Sequence, residues 1–496
     1  MVGHLPALRT RGLGPPGPTV PPDPMIPACQ DREALMTRVT RHFIKVDGRL
    51  VHYRRAGQGP VLLALHQSPR DSAELLPLMQ AMAPFATVIA PDNPGFGLSD
   101  PLPPGPATVD RFADGVDRLM DALGLTSAAF YGFHTGACIA NRFAVLYPHR
   151  VSGLVVDGFM LMEEPERADL LANYLPAFHP QWDGGHLAWA WHRIRDQGIF
   201  FPWYRRDPSA RLSRPKPDLT RIHDQIMEFL RAGDSYRTGY EAALSYRPAA
   251  DMATLTVPAL LFAAQDDPLH RYLSKLPPLP CGVTTGTAPN RTAAWDVVTG
   301  FLRGHLPVEP APAVPDFTAR GVTDGIAWVA GGQGAPCLRL HDLGGAGSLL
   351  PPPSAGAWLA PDLPGMGDSE AVADPGDLAA MADAIAGLLT TRGWTGGEVE
   401  GWGYGAAVAS LLARRHPGLA TRLALHSGIT EPPLDLHPVE GGGHLLAAWQ
   451  QARDSHLFAP GNGVLPGPNR LQAETWYWLK AAPILDRAWK ALGAGG

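Results

Sequence analysis

Five residues, Gly132-Phe133-His134-Thr135-Gly136, constrain this chain more than any other segment. Ala128–Tyr131 before them is short and apolar, as the end of a buried strand would be, and Ala137–Leu146 after them continues as an apolar helix. A strand that turns directly into a helix needs a sharp, strained corner. Glycine on both flanks suits a corner with no room for side chains. The spacing predicts His134 at the apex, pushed outward from the sheet. Strand, corner and helix in this order point to the α/β class.

Three further stretches fall in a fixed order around the corner. Val61–Leu65 is a buried-strand run followed by His66-Gln67-Ser68-Pro69. Val88–Ala90 is followed by Asp92-Asn93-Pro94-Gly95-Phe96-Gly97-Leu98-Ser99-Asp100. Pro258–Ala264 is followed by Gln265-Asp266-Asp267-Pro268. Together these resemble the H-G-x-P loop, the D-x-P-G-x-G-x-S turn, the G-x-S-x-G nucleophile elbow and the acid loop of the α/β-hydrolase superfamily. The resemblance covers roughly residues 40–305. It implies a doubly wound, mostly parallel sheet with a helical cap.

The resemblance also assigns roles. The elbow carries histidine where serine is usual. It implies His134 as base or nucleophile, Asp267 as the acid that orients it, and the backbone N–H groups of Thr135 and Gln67 as an oxyanion hole. Asp157, at the end of the strand-like run Leu154–Val156, stands where some members hold their acid. His66 stands where members brace the oxyanion loop. The histidine that normally follows the last strand is missing, since Thr284–Thr292 contains none. His134 is therefore expected to replace both serine and histidine.

The chain also repeats itself. Ala360-Pro361-Asp362-Leu363-Pro364-Gly365 parallels Ala90-Pro91-Asp92-Asn93-Pro94-Gly95, and Leu340-His341 parallels Leu65-His66. Gly401-Trp402-Gly403-Tyr404-Gly405 parallels the corner at 132–136. Gly442-Gly443-His444-Leu445 with Trp449 parallels Gly184-Gly185-His186-Leu187 with Trp191. Offsets of roughly 258–275 residues mean a duplicated domain rather than a short-period array. The expected organisation is a disordered tail at 1–38, with Met25 or Met36 as alternative starts, and a hydrolase-like domain at 39–306 with a cap at about 159–250. A proline-rich linker follows at 307–317, then a truncated, degenerate copy at 318–496. The copy stops before its last strands, so its sheet edge calls for packing on the first copy or for a homodimer.

The cap is rich in aromatics. His186 and Trp191 are expected either to pack within it or to line the substrate pocket. Three histidines on one pocket would also suit a metal, but the spacing of His66, His134 and His186 supports none, and no cofactor is expected. With 41 basic and 47 acidic residues and no basic stripe, nucleic acid is not an expected partner. No apolar run has the length of a membrane span, the four cysteines form no framework, and a cytoplasmic setting is expected. The expected function is an enzyme acting on a small, mostly apolar carbonyl or ester substrate, by hydrolysis or lyase-type proton transfer. The alternative is a non-catalytic binding or scaffold protein.

Overall fold

A computed structural model describes residues 38–496 except 213, 430, 459–464 and 495–496. The expected tail thus lies outside the described residues, apart from Arg38. Eight strands form the first sheet: β1 (Thr40–Val46), β2 (Arg49–Ala56), β3 (Val61–Leu65), β4 (Thr87–Pro91), β5 (Ala128–Phe133), β6 (Val151–Asp157), β7 (Ala259–Ala264) and β8 (Val283–Ala288). Their order is β1-β2-β4-β3-β5-β6-β7-β8. β1, β2 and β4 pair antiparallel in turn, and every pair from β4-β3 to β7-β8 is parallel. β3, β4 and β7 are buried along their whole length, which is why they read as continuous apolar runs rather than alternating ones.

Helices α1 (Leu76–Met82), α2 (Val109–Ala122) and α3 (Thr135–Leu146) connect the early strands. Between β6 and β7 lie α4 (Glu164–Asn173), α5 (Gly185–Gln197), α6 (Leu219–Ala232), α7 (Tyr236–Ser245) and α8 (Pro248–Met252), and α9 (Arg291–Arg303) follows β8. The α6 register places Ile222, Ile226, Phe229 and Leu230 on one buried stripe, and the Asp218 side chain caps its first turn through the Arg221 N–H.

The second half repeats this plan. β9 (Arg320–Thr323), β10 (Ile326–Gly331), β11 (Pro336–Leu340), β12 (Ala357–Pro361), β13 (Gly397–Trp402) and β14 (Ala420–His426) form a six-stranded sheet ordered β14-β13-β11-β12-β10-β9. Read from β9, this is the order of β1 to β6. Helices α10 (Leu378–Thr391), α11 (Tyr404–Arg415), α12 (Gly443–Leu457), α13 (Pro468–Ala481) and α14 (Leu485–Ala494) take the places of α2, α3, α5, α6 and α7. Among the described residues nothing corresponds to β7, β8 or α9. Among the described residues β14 keeps an open edge, with Leu423 and Leu425 exposed.

The proline-rich segment is tied to the first domain. Ala311 donates its N–H to Gly59 O at 2.9 Å, and Arg55 donates to Pro312 O at 2.9 Å. The two halves meet through like elements: α5 against α12, α6 against α13, β1 against β9. One apolar cluster runs from Leu187, Trp191 and Ile226 of the first half to Leu445, Trp449 and Leu471 of the second. Among the described residues no helix is long and apolar enough to cross a membrane.

Candidate active site

The corner after β5 is as sharp as its sequence demands. His134 has φ 48° and ψ −106°, a region that costs any L-residue, and it caps α3. Its N–H is donated to Asp157 O at 2.9 Å, and its carbonyl accepts from Cys138 N–H at 3.0 Å. A Cβ on Gly132 would sit 2.2 Å from Gly136 O, and one on Gly136 would sit 2.2 Å from Leu65 O. Both glycines are therefore forced by close backbone approach. The same turn recurs at Gly403, with φ 50° and ψ −113°.

His134 lies on the wall of a cavity of about 680 Å³. Thr135, Phe133, Asp267 and Arg291 line it from the sheet side, and Ile194 of α5 and Ile222 of α6 line it from the helical segment. The imidazole Nε2 lies 2.8 Å from Asp267 Oδ2. A carboxylate only accepts, so Nε2 is the donor in this bond, which in the neutral ring leaves the lone pair on Nδ1. Asp267 Oδ1 accepts the Leu269 N–H at 2.8 Å. Burial pushes the Asp267 carboxyl up, but His134, the Leu269 N–H and the Arg291 charge outweigh it and hold the group at about 2.

Asp157 is the other expected acid, and it is committed elsewhere. It is fully buried and accepts from both terminal nitrogens of Arg291, one at 3.2 Å, and from Tyr131 OH at 2.8 Å. Burial raises its carboxyl above the ordinary range, and Arg291 and Tyr131 pull against that. Arg291 also lies 3.7 Å from Asp267 Oδ2 and 4.4 Å over the Phe133 ring, which packs on His134 at 4.1 Å. Arg291 begins the helix after β8, the post from which the resemblance expected a histidine. A fixed cation has taken that post and ties the two acids together. The signal that the sequence carries is the charge that stands where histidine is usual. Tyr131, inside a strand, gave none.

The other expected site residues stand as follows. His66 does not line the cavity. Its Nδ1–H is donated to Gln67 O at 2.7 Å and its Nε2 accepts the Asn93 N–H at 2.8 Å, so it braces the loop. His341 repeats both bonds, to Asp342 O at 2.7 Å and from Leu363 N–H at 2.9 Å. His186 and Trp191 are not cavity residues either: both are buried against the second half, because α5 turns a different face to the cavity. Gln67 does line the cavity, but its N–H is donated to Glu74 Oε2 at 3.2 Å, which leaves the Thr135 N–H as the unshared member of the expected pair. Glu74 and Arg70 form part of an ion network that reaches Glu228 on α6 and straps the loop to the helical segment.

The second half has a corner whose N–H groups are already taken. Asp342, in the place of Gln67, puts its carboxylate at the start of α11. It accepts the N–H groups of Tyr404, Leu343 and Ile429, each at 2.8 Å. An anion from the chain itself thus fills the position where an oxyanion would be bound. Among the described residues no cluster of His, Cys, Asp and Glu could hold a metal ion.

Residues 60–276 match the family model of the alpha/beta hydrolase fold. The first domain has the alpha/beta hydrolase fold. The chain is similar to an uncharacterized hydrolase of Saccharomyces cerevisiae, 31% identical over 134 residues (26% of this chain, 46% of the relative). It is also similar to a 2-hydroxy-6-oxo-6-phenylhexa-2,4-dienoate hydrolase of Comamonas testosteroni, 32% identical over 113 residues (22% and 40%). A third relative is a 2-(acetamidomethylene)succinate hydrolase of Mesorhizobium japonicum, 35% identical over 134 residues (26% and 48%). The chain spans less than half the length of each of these relatives.

Proposed function

We propose that the first domain is a hydrolase-superfamily enzyme that acts on a small, largely apolar carbonyl or ester substrate through His134. The observation that carries this is the bond of 2.8 Å between His134 Nε2 and Asp267 Oδ2 on the wall of a cavity lined also by the helical segment. Asp267 fixes the ring and its tautomer. Nδ1 then serves as base toward a water, or toward a substrate proton in a lyase-type reaction, and Asp267 stabilises the imidazolium that forms. The Thr135 N–H, at the positive end of α3, stabilises negative charge on the substrate oxygen. No acyl-serine forms at the apex, because His134 stands there in place of a hydroxyl, and the Thr135 hydroxyl beside it accepts the Ser68 N–H at 3.3 Å. The names of two relatives specify carboxylic acids, a dienoate and a succinate, so acids and their esters are the first substrates to screen.

Turnover of an ester and C–C hydrolase panel by wild type and His134→Ala tests the reading. Loss of about 10²–10⁴-fold in the variant is expected of a general base. A serine-directed phosphonate should leave the elbow unlabelled. Full turnover by His134→Ala would place the chemistry elsewhere.

The bond from the Gln67 N–H to Glu74 favours a second reading, a binding protein on the same fold. That reading expects ligands of the cavity to bind wild type and His134→Ala alike, with no turnover across the panel.

A further inference from the structure

The repeated motif Gly-Gly-His with tryptophan five residues after the histidine, at 184–191 and 442–449, takes no part in the cavity. In the fold it does something else. His186 meets Trp449 edge-on at 4.8 Å, and His444 meets Trp191 edge-on at 5.5 Å. A Cβ on Gly184 would stand 3.0 Å from the Trp449 ring, and a Cβ on Gly442 would stand 2.7 Å from the Trp191 ring. Each tryptophan is seated on the glycine of the opposite copy, beside the histidine of the opposite copy. The histidines are held alike as well: Nδ1 of His186 accepts the Gln181 N–H at 3.1 Å, and Nδ1 of His444 accepts the Val439 N–H at 3.3 Å.

The symmetry extends beyond the motif. Met227 on α6 and Trp476 on α13 occupy equivalent places in their helices, and Trp476 donates its indole N–H to Met227 O at 2.8 Å. A residue touching its own counterpart marks the axis of a two-fold. The contacts of α5 with α12 and of β1 with β9 follow the same rule. An interface in which residue i meets j′ while j meets i′ is isologous, the kind that closes a homodimer. Each copy carries both halves of the recognition pair, a seat at the glycine and a tryptophan to fill one. Either surface is thus complementary to itself.

We propose that the α5–α6 face of the first domain is a homodimerisation surface, and that the second half is a covalently tethered dimer partner occupying it. The tether gives the second half a task at the cavity. α5 and α6 line the cavity through Ile194, Gln197, Ile222 and Gln225, and they carry the second half on their other side. The partner therefore holds the roof in place.

Light scattering on the full-length chain tests this. Gly442→Glu destroys the seat for Trp191 in the second half but leaves the first domain's own seat and tryptophan intact. The freed face should then pair with that of another chain, and the mass should double relative to wild type. Gly184→Glu/Gly442→Glu removes both seats and should keep the wild-type mass. A folded Gly442→Glu chain that stays at the wild-type mass overturns the proposal, and so does a double variant that associates like the single one. Should Gly442→Glu fail to fold, Gly184→Ala and Gly442→Ala decide. Equivalent seats require comparable falls in melting temperature, and a fall in only one of them overturns the two-fold.

Discussion

Around His134 the site is set by contacts of a single ångström. Gly158 has φ 73°, and a Cβ there would lie 2.3 Å from His134 Cδ2. Gly158→Ala is expected to lower stability by about 1–3 kcal/mol, through backbone strain and a displaced ring. Any turnover should fall with it, because the His134–Asp267 bond cannot survive the shift. A chemical denaturation midpoint equal to wild type would sink this account. Arg291→Gln leaves Asp157 without its cation while fully buried. An uncompensated buried charge costs about 3–5 kcal/mol, so the urea midpoint should drop steeply, less so in Arg291→Lys. Of these residues, His134 and Asp267 were legible because they sit in motifs. Gly158 and Tyr131 were not, since their importance comes from neighbours distant in the chain, and Arg291 was legible only as a charge in histidine's place.

The two elbow helices differ in what meets their N-termini. α3 faces a cavity, whereas α11 faces the Asp342 carboxylate. Burial raises that carboxyl above its ordinary range despite three N–H donors, so removing the side chain exchanges one cost for another. Asp342→Ala should cost about 1–3 kcal/mol for the orphaned N–H groups, and added formate should recover part of the loss in melting temperature. Equal formate effects on variant and wild type would show that no anion site had been opened. The repeat of Gly403 for His134 was visible in the sequence. The plug was not, because Asp342 and Tyr404 are brought together only by the crossover from β11 to β13.

Across the whole molecule, acid should loosen the join between the halves. Burial pushes His186 and His444 down to about 4, with Asp183 opposing at the first and His223 adding at the second. Their ordinary value is 6.5. Between these limits the unfolded chain binds the protons and the folded chain does not. Stability therefore rises with pH across this window and falls as the pH drops from 6.5 toward 4, by about 3 kcal/mol per histidine at most. Urea unfolding at pH 7 and pH 4.5 should show it, and His186→Leu/His444→Leu should flatten the difference. The same pH slope in that variant would locate the protons elsewhere.

Local pattern alone determined the strand–corner–helix unit, the hydrolase-like fold of the first half and the repeat of that fold in the second. Such features rest on glycine stereochemistry and on which residues can be buried in parallel strands, and both are written in short windows of sequence. Tertiary structure alone decided the partners. It gave Asp157 to Arg291, bound the Gln67 N–H to Glu74, and turned His186 and Trp191 from the cavity to the other copy. The reason is physical: a side chain's role depends on the charge and volume it meets across the fold, and nearness in the chain does not fix these, since Glu74 stands seven positions from Gln67 and Trp449 hundreds from His186.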